Sequence, residues 1–580
     1  MPAETFPHEL QNKIIATTFL CFFSGFIVAI FGFPCWQHAV EGAQVLAGLV
    51  QYPGTSSPFG LYEQKVWTLL HQILAALLSA GISEIKLSLV LSGLMGAFSY
   101  AALGLGILSF TRSQMIAWLA PFFIQFTEAC SYSTTYPVSF MGTSTTYGVL
   151  GLALLMLCFA LYGLGMQKSA GFLLGLLLSI HVSLGLWGIL IFTCLFISEK
   201  KINRNFIRSF LFPGLVVTGL SFSAHIFHHH EFLIHKDISK DLLLTFIREW
   251  DSHRQPVYWN DPGAWIVLFS LILTFACLKF HRQQIPETAI SYLKIILIAD
   301  ILSVLAIFLS QVPLNIIPLR ILLPMLLLMP TRLTCIATIS FPITLIGLFF
   351  RHRSGFFLSL AGVVFLTAIY KSKPDPYIAM MISSFFLCVY HQIKPINEDL
   401  KKSIESIPIY FLRTLAIALL AYNAYQIGRM VVTHSKMRLA ELKNYGNDSL
   451  FYAASKGSGL LLTSADLNAI QLVTRRPILL DGGALDMVVY APETASQVEK
   501  ILREIYDTDW FHPPAETWHY AVLPSNGGRK LWESLQTADW NRLREKYGTT
   551  SLITYTDWKI QLPLISRNSN YALYDIPAAT

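Results

Sequence analysis

Residues 35–83 read CWQHAVEGAQVLAGLVQYPGTSSPFGLYEQKVWTLLHQILAALLSAGIS. This polar loop separates two apolar runs, each long enough to be a membrane span, and it carries His38, Glu41, Glu63 and His71. Turn signals at Pro53-Gly54 and Pro58 divide it. Val66 to Ala80 is apolar, but at about four turns it falls short of the roughly 20 residues a spanning helix needs. With Trp67 and His71 on board, it fits a helix lying along the membrane surface. A long, structured first loop over a helical bundle is the frame for the rest of the chain.

Working outward, the 580 residues are 54% hydrophobic and 13% charged, with a mean hydropathy of +0.52. Soluble domains carry about a quarter charged residues, so this is a polytopic membrane protein. The net charge of +7 sits in scattered loops without a dense basic run, which gives no reason to expect a nucleic-acid partner. All eight cysteines lie in or beside apolar segments, and no C-x-x-C pair occurs, so neither a disulfide framework nor a zinc ribbon is indicated. The N-terminus lacks a basic signal region, and Lys13 to Phe33 reads as a retained first span.

Apolar length places the spans, and Lys/Arg in short loops orients them with the N-terminus cytoplasmic. The expected spans are 14–33, 86–109, 115–130 and 147–166. The run Gly171–Ile197 has Lys168 before it and Lys200, Lys201, Arg204 and Arg208 after it. Both flanks can be cytoplasmic only if the run is a tight helical hairpin with its tip near His181; a single tilted span is the alternative and would invert everything downstream. Further spans follow at 206–226, 263–279, 290–309, 333–350, 355–370, 377–391 and 408–428, making about thirteen crossings. The expected organisation is a membrane domain at 1–431, with outer loops at 34–85 and 227–262, and a soluble domain at 432–580 on the same, extracytoplasmic side. In that tail, Gly459–Thr463, Pro477–Asp481, Tyr520–Leu523, Ser551–Thr554 and Tyr571–Tyr574 read as strands. Ala465–Val473, Ala495–Tyr506 and Trp532–Tyr547 read as helices, and the alternation predicts a small α/β domain.

The phosphate-loop, dinucleotide, H-E-x-x-H and G-x-S-x-G motifs are all absent. The chemistry must come from isolated polar residues. Glu41 is the best-placed acid of the first loop, and His38 would stand one turn earlier on a helix. Such a pair could deprotonate a hydroxyl or hold a metal, against the plainer reading of a solvated loop helix. Glu128, near the outer end of the third span, could accept a proton, hold a divalent cation or bind sugar hydroxyls, or else pair with an arginine. Trp250, Asp251, His253 and Arg254 crowd charges and aromatics as a sugar or lipid headgroup would want, or as an interfacial aromatic belt does. Arg320 and Arg332 flank a proline-interrupted apolar segment and suit phosphate, with snorkelling as the alternative. His181, at the hairpin tip, joins the substrate-binding candidates. Asp300 lies mid-span and needs a partner, and the triple His228-His229-His230 reads as a solvated loop.

This layout resembles the GT-C superfamily of membrane glycosyltransferases, which includes protein mannosyltransferases, aminoarabinose transferases and the catalytic subunit of oligosaccharyltransferase. The shared features are the long first outer loop with surface helices, the high span number, short paired helices in the middle and an outer C-terminal domain. Such enzymes usually carry an acid, often Asp, just after the first span. Here that position reads Phe33-Pro34-Cys35-Trp36-Gln37-His38, the first acid is Glu41, and no Trp-Trp-Asp motif occurs. The resemblance implies an enzyme that takes a sugar from a polyprenyl-phosphate donor; the general appearance of the chain points to a bacterial inner membrane and the cell envelope, with an organelle lumen as the alternative. The acceptor would be a glycan, a lipid or a protein, and a divalent cation is the one cofactor suggested. Glu41 would be general base or metal ligand, Glu128 and Trp250 to Arg254 would line the acceptor groove, and Arg320 or Arg332 would bind donor phosphate. A non-catalytic scaffold for polysaccharide assembly is the alternative. A transporter ranks last, because two repeated halves with paired broken helices are not seen.

Overall fold

The computed structural model describes residues 8–53, 57–65, 68–126, 145–200, 211–228, 238–280, 282–283, 285–351, separate positions between 425 and 436, and 448–578 apart from 465–466, 481–483, 518–522 and 524–525. The first helix, α1 (His8–Gly32), packs along α5 (Glu84–Thr111). The two backbones touch where side chains vanish. A Cβ on Gly25 would stand 2.3 Å from the Gly96 carbonyl oxygen, and one on Gly96 the same distance from Ala29 Cβ. Small residues at a crossing are how membrane helices gain van der Waals contact without a hydrophobic driving force.

Between these helices the first loop folds as three short ones: α2 (His38–Leu46), α3 (Pro58–Gln64) and α4 (Leu69–Ser79). Ser57 caps α3 by accepting from the Gly60 amide, with Pro58 at the first helical position. Thr68 caps α4. The expected short helix is thus present from Leu69, while Val66 and Trp67 lie outside the described residues.

After α6 (Gln114–Phe126) comes α7 (Tyr147–Gly163), apolar and buried on nearly every face, as suits the centre of a bundle. The run after Lys168 breaks into α8 (Gln167–Leu177) and α9 (Val182–Ser198). Leu178 lies against Gly185 and Leu174 against Gly188, so the two arms run antiparallel as the hairpin expected from the flanking charges. Its tip meets the first loop, where the Leu69 amide donates to the Ser179 carbonyl. Its far end meets the other side of the bundle, where Lys294 pairs with Glu199 at 2.5 Å. The bundle continues with α10 (Phe212–His228), a short α11 (Lys240–Thr245), α12 (Pro262–Phe280), α13 (Glu287–Ser310), α14 (Leu319–Leu328) and α15 (Thr334–Arg351). Among the described residues four helical stretches are long and apolar enough to cross a membrane, at His8–Gly32, Glu84–Thr111, Glu287–Ser310 and Leu319–Leu348, and several shorter apolar helices accompany them. The chain is a multi-pass membrane protein. The expected spans at 355–370, 377–391 and 408–428 lie outside the described residues.

The tail opens with α16 (Ser449–Ser455) and carries a four-stranded sheet. Its strands are β1 (Leu460–Thr463), β2 (Thr549–Tyr555), β3 (Leu564–Arg567) and β4 (Tyr571–Asp575), in the order β1-β2-β4-β3. β1 runs parallel to β2, and the other pairs are antiparallel. Pro477–Asp481, expected as a strand, gives a single parallel bridge from Ile478 to Leu461, held by the Leu461 and Leu479 amides. The helix expected at 465–473 shortens to α17 (Ile470–Thr474), set between left-handed residues Ala469 and Arg475. Then follow α18 (Ala495–Ile505), α19 (Arg529–Ser534) and α20 (Thr537–Tyr547). Trp532 stacks edge-on to both Trp540 and Trp558 in the core of the tail.

Candidate functional site

The tail does not stand apart from the membrane domain; it is hydrogen-bonded across the first loop. Gln471 Nε2 donates to the Glu41 carbonyl at 3.1 Å, while its Oε1 accepts from Tyr52. Gln44 Nε2 donates to the Leu472 carbonyl (3.0 Å) and to Glu84 (3.2 Å), which also takes Arg475 Nε at 2.7 Å. Ser57 bonds the carbonyls of Ile478 and Leu479, and Lys65 pairs with Glu493. These contacts hold α2 and α3 under the tail. First loop, second loop, hairpin tip and tail all meet on one side of the bundle.

Helix α2 begins at His38, so the spacing to Glu41 puts both side chains on one face, with His38 Nδ1 3.0 Å from Glu41 Oε2. The carboxylate is fully buried, and its Oε1 has no hydrogen-bond partner among the described residues. The next residue, Gly42, is where two more polar groups close in. A Cβ there would stand 2.7 Å from Glu63 Oε2 and 3.1 Å from the His71 ring. His71 is buried; Thr68 Oγ1 lies 2.6 Å from its Nδ1, and the Tyr147 hydroxyl contacts its Nε2. Burial pushes its pKa down to about 3, so the ring is neutral. Trp36 packs edge-on against Tyr147, closing that side. Glu63 stands among the polar residues of the first loop but not among the site candidates read from the sequence. Only the three-dimensional approach of α3 to α2 brings it beside His71, and the local sequence carries no signal for that.

A second polar group adjoins the first through two tyrosine rings, Tyr62 and Tyr490, 6.2 Å apart. The second loop makes a π-turn at Phe246–Trp250 and then a short 3-10 turn at Ser252–Arg254, capped by Asp251 accepting from the His253 amide. Arg254 is nearly buried. Its Nη1 donates to Asp251 Oδ2 at 2.6 Å, its Nε to the Leu326 carbonyl, and its guanidinium lies over the Tyr490 ring. Its Nη2 has no hydrogen-bond partner among the described residues. Burial works against the Arg254 charge, but Asp251, Tyr490 and Asp486 outweigh it and hold the guanidinium firmly protonated. Arg332, also buried, donates to Ser183 at the hairpin tip (3.0 Å) and to the Tyr490 hydroxyl (3.2 Å). Asp486 comes from the tail. Burial would raise its carboxyl, yet His253, Arg254 and Arg332 together hold it well below the usual carboxylate range.

The remaining sequence candidates are placed elsewhere or in other roles. Trp250 is fully buried; its Nε1 donates to the Trp510 carbonyl, and the two indoles pack together, so it anchors the second loop to the tail core. His181 caps α9, its Nδ1 accepting from the Leu184 amide, and it faces the charge of Arg332. Arg320 is exposed on α14, and among the described residues no contact joins it to the Arg254–Arg332 group. Asp300 is buried on α13 and accepts from Ser270 at 2.8 Å on α12, away from the loops. Glu128 and most of the triple histidine lie outside the described residues.

No family model matches the chain, and no curated protein does. Among solved structures, the chain is similar to the crystal structure of ArnT from Cupriavidus metallidurans bound to undecaprenyl phosphate. That pair shows 11% identity and a TM-score of 0.42, over 98% of each chain. The apo-state crystal structure of ArnT from the same organism gives 12% identity and a TM-score of 0.42, over 97% of each chain. The functional reading rests on the residues described above.

Proposed function

We propose that the chain is a membrane glycosyltransferase of the GT-C kind, moving a sugar from a polyprenyl-phosphate carrier to an acceptor hydroxyl of a glycan, lipid or protein. The observation that carries this reading is the buried Glu41 carboxylate. It is oriented by His38 on one oxygen and has no hydrogen-bond partner on the other among the described residues, and the same side of the bundle carries the buried guanidiniums of Arg254 and Arg332. A carboxylate oxygen without a donor suits proton abstraction from an acceptor hydroxyl that reaches it. The hydroxyl oxygen then attacks the anomeric carbon, the bond from carbon to phosphate oxygen breaks, and the carrier leaves as its phosphate. Arg332 and Arg254 suit the negative charge that builds on the leaving group, since a planar guanidinium is the preferred forked donor to phosphate. We place this side of the bundle outside the cytoplasm of a bacterial inner membrane, with the tail shaping the acceptor side.

The grip of the tail on the first loop favours a second reading, a non-catalytic scaffold whose tail recruits an envelope partner. The two separate in a strain lacking the protein, complemented with wild type or with Glu41→Gln at equal membrane abundance. Glycosyl transfer predicts that Glu41→Gln loses the glycan product by roughly 10²-fold or more, the usual contribution of a general base. An unchanged glycan profile would remove Glu41 as the base and leave the scaffold.

A further inference from the structure

Asp251 and His253 of the second loop and Asp486 of the tail bring three ligand atoms within 4.8 Å of one another. His253 Nδ1 lies 3.5 Å from Asp251 Oδ1 and 3.6 Å from Asp486 Oδ1. A four-coordinate ion with bonds of about 2.0–2.2 Å sets its ligand atoms roughly 3.3–3.6 Å apart, so these two edges already have the dimensions of a coordination polyhedron. The two carboxylates are differently employed. Asp251 is fully buried; its Oδ2 takes Arg254, and its Oδ1, which accepts the His253 amide, faces the imidazole. Asp486 Oδ1 is shielded from solvent and has no hydrogen-bond partner among the described residues. Arg254 Nη1 stands 3.8 Å from that oxygen and His253 Nδ1 3.6 Å, both beyond hydrogen-bond distance, and a bound cation would satisfy it at closer range.

We propose that Asp251, His253 and Asp486 bind one divalent cation of the borderline class, Zn²⁺ or Mn²⁺, which staples the tail to the second loop. One imidazole nitrogen and two carboxylate oxygens suit that class, and a fourth position stays open to water or an anionic oxygen. Two carboxylates set against Arg254 and Arg332 are close to neutral as a group. The added ion makes the site net positive, which favours an anion as the fourth ligand. The site is separate from Glu41, and it stands whether or not the chain transfers a sugar.

The test is metal retention by the purified full-length protein. After chelation, the protein is loaded with Zn²⁺ or Mn²⁺ alone, desalted, and analysed for bound metal by mass spectrometry. The expected result is about one ion per chain for wild type, as a single three-ligand site requires. Asp486→Asn and His253→Gln should each lower retention roughly tenfold or more, while His512→Gln, an exposed histidine elsewhere in the tail, should not. Asp486 is a half-exposed position, so its variant is the one expected to fold, and an unchanged size-exclusion profile confirms that. Loading should also slow proteolytic release of the tail in wild type and not in Asp486→Asn. No ion retained by wild type, or equal retention by both ligand variants, overturns the site; it would then be an ion-pair network only. Loss of metal in Glu41→Gln but not in Asp486→Asn would likewise overturn it.

Discussion

His71 shows what a single residue contributes here. Buried between Thr68 and Tyr147, it is neutral, with its pKa pushed down to about 3. In the unfolded chain an imidazole titrates near ~6.5. A depressed pKa means that the folded state is favoured in full above that value and loses this contribution as pH falls from about 6.5 towards 3. Thermal melts in detergent should therefore show a fall in stability across that window, and the fall should be smaller in His71→Gln. Equal pH profiles for the two proteins would contradict the burial of the ring. From the sequence, His71 was visible only as one polar residue on an apolar helix. Thr68 is the cap of its own helix, but Tyr147 comes from α7 and Glu63 from α3, and no local pattern announces those two. The pair His38 and Glu41 was legible, because a spacing of three on a helix fixes the contact without help from the rest of the chain.

Among elements, α17 is the one that ties the tail to the first loop, through Gln471, Leu472 and Arg475. The Arg475–Glu84 pair is half-exposed on the arginine side, and pairs of that kind contribute about 0–1 kcal/mol. Arg475→Ala should accordingly change little. Arg475→Glu should do more, because it sets two carboxylates together beside the start of α5, and limited proteolysis should then release the tail faster than from wild type. Restoration by the double swap with Glu84→Arg would show that the charge pair is responsible, and unchanged proteolysis would show that it is not. At this scale the sequence was informative where an element answers to its own flanks. The hairpin of α8 and α9 followed from lysines on both sides of a run too long for one span. It was less so in the tail. Pro477–Asp481 looks like a strand by composition but contributes one bridge, since β1 already takes β2 as its full partner. β3, with no residue buried, lacks the alternation by which strands are recognised.

For the whole molecule, the organising contacts are those no local reading supplies. α1 crosses α5 at Gly25 and Gly96 with no room for a side chain. A leucine at position 96 must push the backbones apart; overpacking in ordinary cores costs about 1–3 kcal/mol, and here the obstruction is backbone rather than a movable side chain. Gly96→Leu should fail to accumulate as monodisperse protein, whereas Gly219→Ala, with open space around it, should accumulate as wild type does. Similar yields for the two would argue against the crossing. The multi-pass character of the chain was legible from its composition. The gathering of residues 38–71, 183, 251–254, 332 and 486–490 was not, because nothing in a sequence states which loops fold over which.

The most direct measurement is turnover by the purified protein in proteoliposomes supplied with polyprenyl-phosphate sugars, comparing wild type with Glu41→Gln at matched donor retention. The account predicts release of polyprenyl phosphate by wild type and a rate lower by roughly 10²-fold or more in the variant, with donor binding kept because Arg254 and Arg332 are untouched. Release at the wild-type rate by Glu41→Gln would contradict it, and would place the proton acceptor elsewhere or leave the protein without a catalytic role.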